Sequence, residues 1–344
     1  MPAPDQLSER ELRVLEAVVQ TYIETAEPAG SQTIARRFGL GVSPATIRNT
    51  MSELEDKGYL FHPHTSAGRI PTDRAYRVYV NAIMRLAPPS SEAQQALRSE
   101  LAGSRIAVDE ILRRAAQVLG VLTQELGVAV APALDELVLE RLELVPVTPE
   151  RLLLVFNLRS GVVRTIFVEV PARTMSAPVA EVARILNERL GGLTLRRIRE
   201  TVSERLRDAG AAEGRELLNI FIAEGEEIFG LDGDGGEVVL GSAQMLAEQP
   251  EFASNTRMRE LLRLTERREL LQEALAIRRR HGLSVTIGTE NPDARLTEFT
   301  LVTSSYEAGG VRGVIGVMGP TRMAYDKIIG LVEHTSRMVE GLLE

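Results

Sequence analysis

Ser31-Gln-Thr-Ile-Ala-Arg-Arg-Phe38, Gly39-Leu-Gly-Val42 and Ser43-Pro-Ala-Thr-Ile-Arg-Asn-Thr-Met-Ser-Glu-Leu-Glu-Asp-Lys57 form the stretch around which the chain is organised. In the first segment Ile34, Ala35 and Phe38 make one apolar helix corner, and Gly39 to Val42 breaks it. Ser43 is a good N-cap, and Pro44 at the first helical position gives up no hydrogen bond it needed. The spacing predicts a second helix from Pro44 to about Lys57, stopped by Gly58, with Ile47, Met51 and Leu54 inward. Ser43, Ala45, Thr46, Arg48 and Asn49 fall on the other side, near its start. Two short helices around a glycine-bearing turn read as a helix-turn-helix. Tyr59-Leu-Phe-His62 and Arg69-Ile-Pro71 read as strands of a hairpin whose tip is Pro63 to Gly68. That makes the winged variant, with a protein-interaction module of the same shape as the plain alternative.

Charge supports nucleic acid. Residues 31–80 hold seven Lys/Arg against four Asp/Glu, whereas residues 1–30 hold two against six. The chain as a whole is acidic, with a net charge of −8, but residues 1–86 balance at ten of each sign. The surplus acid therefore lies elsewhere and does not veto a local DNA contact. The candidate contacts are Ser31, Gln32 and Thr33 opening the first helix, and Ser43, Pro44, Ala45, Thr46, Arg48 and Asn49 on the second. His64, Thr65, Ser66 and Arg69 on the wing complete the set. Arg48 can take guanine or phosphate, Asn49 adenine, and Arg69 a phosphate or a narrow minor groove.

These motifs resemble the HrcA family of bacterial heat-inducible transcription repressors. The likeness runs through Leu7-Ser-Glu-Arg-Glu-Leu-Arg-Val-Leu15, Glu27-Pro-Ala-Gly-Ser-Gln-Thr-Ile34 and Val42 to Glu55. It continues in Gly58-Tyr-Leu60 and His64-Thr-Ser-Ala-Gly-Arg-Ile-Pro-Thr72. It returns in Ile287-Gly-Thr-Glu-Asn-Pro292 and Gly316-Val-Met-Gly-Pro-Thr-Arg-Met-Ala-Tyr325. The resemblance implies a multidomain α+β chain. Its parts would be a winged helix-turn-helix (1–88), a GAF-like domain (89–172 plus 276–344) and an inserted helix-rich dimerisation domain (173–275). It also implies a homodimer on an inverted-repeat operator, called CIRCE, ahead of chaperonin and chaperone operons, kept active by the chaperonin GroEL.

The rest of the chain agrees in outline. Ser8 with Glu11 makes a capping box for a helix to about Thr25, and Thr72 caps another through Tyr76, Tyr79, Val80 and Ile83. Pro88-Pro-Ser-Ser91 marks a domain boundary. Residues 91–127 read as helix, with Ile111, Ala115, Leu119, Leu122 and Leu126 in one stripe. Strand-like runs follow at 138–145, 152–158 and 162–170. Helical periods cover 176–229, a short strand 238–240, and helix 258–280. Strands at 284–287, 299–306 and 311–317 and a helix from about 323 to 343 close the chain.

Competing chemistries fare poorly. The chain has no cysteine, which excludes disulfides and thiolate chemistry. No signal-like segment or long apolar run is present, so a cytoplasmic protein with no membrane partner is expected. Gly230 to Glu237 has calcium-type oxygens but lacks the EF-hand glycine and terminal glutamate. Gly310, Gly313, Gly316 and Gly319 lie in and beyond a strand, which suggests close backbone packing rather than a phosphate loop. His62 and His64 are at most half a metal site, and Glu140, Glu143, Glu169 and Glu290 assemble no catalytic set. No cofactor, no metal and no enzymatic activity are expected. A metabolite-sensing regulator and an enzyme with an appended winged helix are the alternatives to a repressor.

Overall fold

The computed structural model describes residues 7–64, 68–101, 108–132, 137–159, 163–171, 179–208, 214–229, 238–308 and 311–343. The chain opens with α1 (Glu9–Thr25), α2 (Ser31–Phe38) and α3 (Pro44–Asp56), followed by the two-residue strands β1 (Leu60–Phe61) and β2 (Ile70–Pro71). Ser8 and Glu11 close the expected capping box on α1, and Ser43 caps α3 with Pro44 just inside it. Gly39 and Gly41 both take left-handed backbone, so the turn between α2 and α3 is built where glycine alone bends without strain. Val14, Val18, Ile34, Ile47, Met51, Leu54 and Tyr59 fill the core of this unit.

Next come α4 (Asp73–Val78), continued by a π-helical turn at Tyr79–Ile83, then α5 (Ser91–Leu101) and α6 (Val108–Thr123). The expected uninterrupted helix over 91–127 is corrected here, because it ends at Gln124 in left-handed backbone and Leu126 begins strand β3 (Leu126–Val130). Every residue of β3 is buried, so it lacks the polar alternation that marks a half-exposed strand. It pairs into an antiparallel sheet of order β7-β3-β10-β9-β8, with β7 at Val238–Leu240, β8 at Ser284–Ile287, β9 at Phe299–Ala308 and β10 at Val311–Pro320. Helices α6 and α14 (Tyr325–Leu343) cover one face. Leu246 of α11 (Gln244–Ala247) and Leu261, Leu264, Leu271 and Leu275, from α12 (Asn255–Glu266) and α13 (Arg268–Ala276), cover the other. A Cβ on Gly127 would come within 1.8 Å of the Ala116 carbonyl, so α6 lies directly on the backbone of β3. Gly313, Gly316 and Gly319 are likewise pressed by Tyr306, by Val302 with Thr303, and by Glu125, which is the close packing their spacing suggests. Gly310 lies outside the described residues, as does the Gly230–Glu237 turn.

Strands β4 (Leu139–Thr148), β5 (Arg151–Leu158) and β6 (Val163–Glu169) form a second antiparallel sheet that does not join the first. Leu152, Leu154, Phe156 and Leu158 alternate inward against α7 (Val179–Leu190), α8 (Leu195–Arg207), α9 (Arg215–Ala223) and α10 (Gly225–Phe229). By sheet and core membership, strands β4 to β6 and helices α7 to α10, described within 137–229, pack as one unit, whereas β7, α12 and α13 pack with the five-stranded sheet. The meander has its own helices to pack on, so it needs no partner sheet. No helix among the described residues is long and apolar enough to cross a membrane.

The N-terminal unit and the five-stranded body share one hydrophobic core, from Val14 to Val339. Tyr76 of α4 meets Tyr325 of α14 at 5.7 Å between ring centroids. Beside them, Arg77 Nε donates to Glu290 Oε1 at 2.7 Å, and Arg77 Nη2 to the Val285 carbonyl at 2.6 Å. Asp73 accepts from the Thr289 amide at 2.9 Å and its hydroxyl at 3.0 Å. The loop making these contacts is shaped by Asn291, whose buried amide nitrogen reaches the carbonyls of Gly288, Leu296 and Phe299 at 2.8–3.0 Å. Asn291→Ala leaves the Leu296 and Phe299 carbonyls without this donor, while the Gly288 carbonyl keeps the Asn291 backbone amide at 3.1 Å, so it is expected to lower stability by about 2–4 kcal/mol in chemical denaturation. A loss below about 1 kcal/mol would mean that the loop holds its shape without this amide.

Candidate nucleic-acid interface

The exposed side of α3 begins at its N-cap. The Ser43 hydroxyl accepts from the Thr46 amide at 3.1 Å and lies 2.9 Å from the Thr46 hydroxyl. Ile47, Thr50, Met51 and Leu54 point inward, so the 3.6-residue period leaves Ser43, Pro44, Ala45, Arg48 and Asn49 exposed and Thr46 half-buried. Arg48 makes no ion pair or hydrogen bond among the described residues. Gln32 and Thr33 are also exposed, whereas Ser31, at the first position of α2, is buried. His64 is exposed; Thr65 and Ser66 lie outside the described residues.

The strands of the β1–β2 hairpin are fixed from both ends. Leu60 pairs with Pro71 and Phe61 with Ile70, and Arg69 exchanges two backbone hydrogen bonds of 2.9 Å with Ala29, just ahead of α2. Gly68 lies so close to that crossing that a Cβ would sit 2.4 Å from the Ala29 carbonyl oxygen. The Arg69 side chain, 13% exposed, turns back onto α3, with Nη2 3.0 Å from Glu55 and 3.1 Å from the Ser52 hydroxyl. His62 Nδ1 lies 2.6 Å from the same Glu55 carboxylate. Burial pushes the Glu55 carboxyl up, but the His62 hydrogen bond and the Arg69 charge outweigh it and hold it below its ordinary value. Arg69 thus braces the hairpin to α3, and its guanidinium is engaged there.

Two cations went unsuspected in the sequence. Arg10 and Arg13 are exposed on α1 and border a shallow depression of about 230 Å³ with Leu40 and Val42 of the turn that leads into α3. They were hidden because residues 1–30 are acidic in sum. Their i, i+3 spacing on the exposed side of α1 was the available signal. Neither has an ion-pair partner among the described residues, and nor does exposed Arg36 on α2. The arrangement presents unpaired cations and short polar groups around the N-terminus of α3, whose helix dipole has the same sign. No group of three metal-ligating side chains occurs among the described residues.

A buried bond sets the angle between α1 and α3. Lys57, at the C-cap of α3, donates to Glu11 Oε1 at 2.6 Å, while Ser8 donates to the other oxygen. The Lys57 ammonium is the largest influence, and it holds the Glu11 carboxyl at about 2 against the opposing effect of burial. A depressed folded-state pKa means stability present above the ordinary value and lost as pH falls towards about 2. Glu11→Gln is expected to be about 1–3 kcal/mol less stable at neutral pH, with the gap closing between pH 4.5 and about 2. Urea titrations across that range check it; a gap constant down to the lower limit would assign the loss to packing instead.

A family model described as the HrcA protein C terminal domain matches residues 109–329. A heat-inducible transcription repressor HrcA of Chlorobium phaeobacteroides is 38% identical, covering 95% of this chain and 96% of that protein. The repressor of the same name from Geobacter sulfurreducens is 33% identical over 98% of both chains. A crystal structure of a hypothetical protein superposes with a TM-score of 0.72 at 25% identity, covering 98% of this chain and 99% of the other. With a family model over more than half its length and relatives matched end to end, the chain belongs to the HrcA family.

Proposed function

We propose that the chain is a transcription repressor of heat-inducible genes, and that α1 to β2 form a winged helix-turn-helix whose α3 enters the major groove. The observation that carries this reading is the exposed start of α3. Arg48 and Asn49 have the right chemistry for base edges, and Arg10, Arg13 and Arg36 are unpaired cations suited to flanking phosphates. The names of the full-length relatives support it. Arg69 acts at one remove, by holding the wing against Glu55.

The operator is an inverted repeat of the CIRCE kind, read by a homodimer. The five-stranded body is the GAF-like domain, and the 137–229 unit is where two copies meet. Its open sheet face supports that placement. Val145, Leu153 and Phe167 stand in one cross-strand row, with Phe167 53% exposed and Val163 nearby at 52%. Heat loosens the dimer and releases the operator, while the chaperonin GroEL restores the competent form.

One experiment tests these parts together: operator binding followed from about 25 to 45 °C, with and without chaperonin, for the parent chain, Arg48→Ala and Phe167→Glu. Arg48→Ala is expected to weaken operator binding by about 1–3 kcal/mol with unchanged melting. Phe167→Glu should sediment as a monomer and keep only non-specific DNA affinity. Full operator affinity in Arg48→Ala would remove α3 from the reading, and a dimeric Phe167→Glu would move the interface elsewhere. Chaperonin without effect on the temperature of release would sever that link.

A further inference from the structure

The Gly288–Pro292 loop has two sides. One clamps Asp73 and Arg77 of α4. The other walls a cavity of about 540 Å³ whose lining includes Leu270, Ala274, Ile277, Thr286, Leu296 and Arg278. That volume lies within the roughly 300–1,000 Å³ usual for small-molecule sites.

Arg278 is the unusual member. It is 5% exposed, and its guanidinium is held by neutral acceptors alone. Nη1 donates to the Ala274 carbonyl, and Nη2 to the Thr286 hydroxyl at 2.5 Å and Asn291 Oδ1 at 3.2 Å. Nε is buried with no partner. Among the described residues no carboxylate stands within ion-pair distance of it. The carboxylates that border the cavity are engaged or outlying. Glu290 is taken by Arg77, Asp293 by Arg295 at 2.6 Å, and Glu273 is exposed at the rim with Arg295 as its electrostatic neighbour. Burial lowers the Arg278 pKa with nothing opposing it. A buried guanidinium without a counter-charge is costly, and an anion that reaches it in a dry site gains a strong, directional hydrogen bond.

We propose that this cavity binds a small amphipathic carboxylate, its charged end on Arg278 and its hydrocarbon part against Leu270, Ala274, Ile277 and Leu296. Aliphatic and aromatic acids share this chemistry, and the probes separate them. Binding is independent of the DNA reading. Only its consequence rests on that reading: an occupant presses on Pro292 and on Glu290, which holds the clamp on α4, and so reaches the N-terminal unit.

Calorimetry of the full chain with octanoate and with benzoate tests the site, with octanamide as the neutral control. One carboxylate per chain is expected, with octanamide weaker by about tenfold or more. Ile277 is 62% exposed, so Ile277→Glu should fold normally and, by placing like charge at the mouth, weaken the carboxylate by about tenfold. Arg278→Gln should abolish the preference for acid over amide. Equal binding of octanamide, undiminished binding to Ile277→Glu, or no saturable binding of either acid up to about 10 mM overturns the proposal. In the last case a lowered melting point in Arg278→Gln leaves Arg278 a brace between α13 and β8.

Discussion

The docking of α4 against the Gly288–Glu290 loop and α14 is the constraint on which the rest depends. Tyr76 and Tyr325 close one apolar core across what the sequence divides into separate domains, and the Tyr76 hydroxyl is buried without a partner to allow it. An unsatisfied hydroxyl costs about 1–3 kcal/mol, so the ring packing around it has to supply more than that. Arg77 and Asp73 then fix the direction of α4 with three polar contacts to this loop and a fourth to the Val285 carbonyl of β8. At the other end of the interface Arg322 binds Glu251 through both nitrogens, at 2.6 and 2.9 Å, and donates to the Ile23 carbonyl at the end of α1. The N-terminal unit is thus held at two separated points. A core shared in this way carries the orientation of α3 with the five-stranded sheet instead of leaving it to a linker.

Charge is sorted by the same logic. Four partly buried cations have carboxylates, in contrast to Arg278: Lys57 has Glu11, Arg69 has Glu55, Arg77 has Glu290 and Arg322 has Glu251. Each braces two elements, because removing either member would leave a charge poorly solvated. The cations around the start of α3 are exposed and unpaired. In water that loses little, since an exposed ion pair contributes only about 0–1 kcal/mol. Left open, they add to the field at the helix N-terminus, and the surplus acid of a chain with net charge −8 lies in other parts of the molecule.

What could be read from the sequence was what depends on near neighbours. The Ser8–Glu11 box, the Ser43-Pro44 start, the Ile47–Met51–Leu54 face and the alternation in 152–158 each declare themselves within a turn or two, and each is present. β3 was misread because Leu126 continues the apolar period of α6 and the strand is buried on both faces. Only pairing partners, not patterns, separate a meander with its own helices from one that joins a distant sheet. The exposure of the candidate residues Arg48 and Asn49 is legible too, because it follows from helical period. The contact of Arg69 with Glu55, fourteen residues away, is beyond such patterns, and so is the exposure of Arg10 and Arg13 beside the turn on a helix that is acidic in sum.

Ile287-Gly-Thr-Glu-Asn-Pro292 was legible as a motif without its reason, and the structure supplies that reason residue by residue. Gly288 has φ +51°, and a Cβ there would come within 2.1 Å of the Asp73 carboxylate, so both backbone and contact demand glycine. Thr289 gives Asp73 its amide and hydroxyl. Glu290 divides its carboxylate between Arg77 and the Ile287 amide, which it reaches at 2.8 Å. Asn291 faces the other way, towards the loop's own carbonyls and Arg278. One five-residue turn therefore touches α4 with its first half and the cavity with its second. Rigid hydrogen bonds run through both halves, so the turn cannot yield on one side without moving the other.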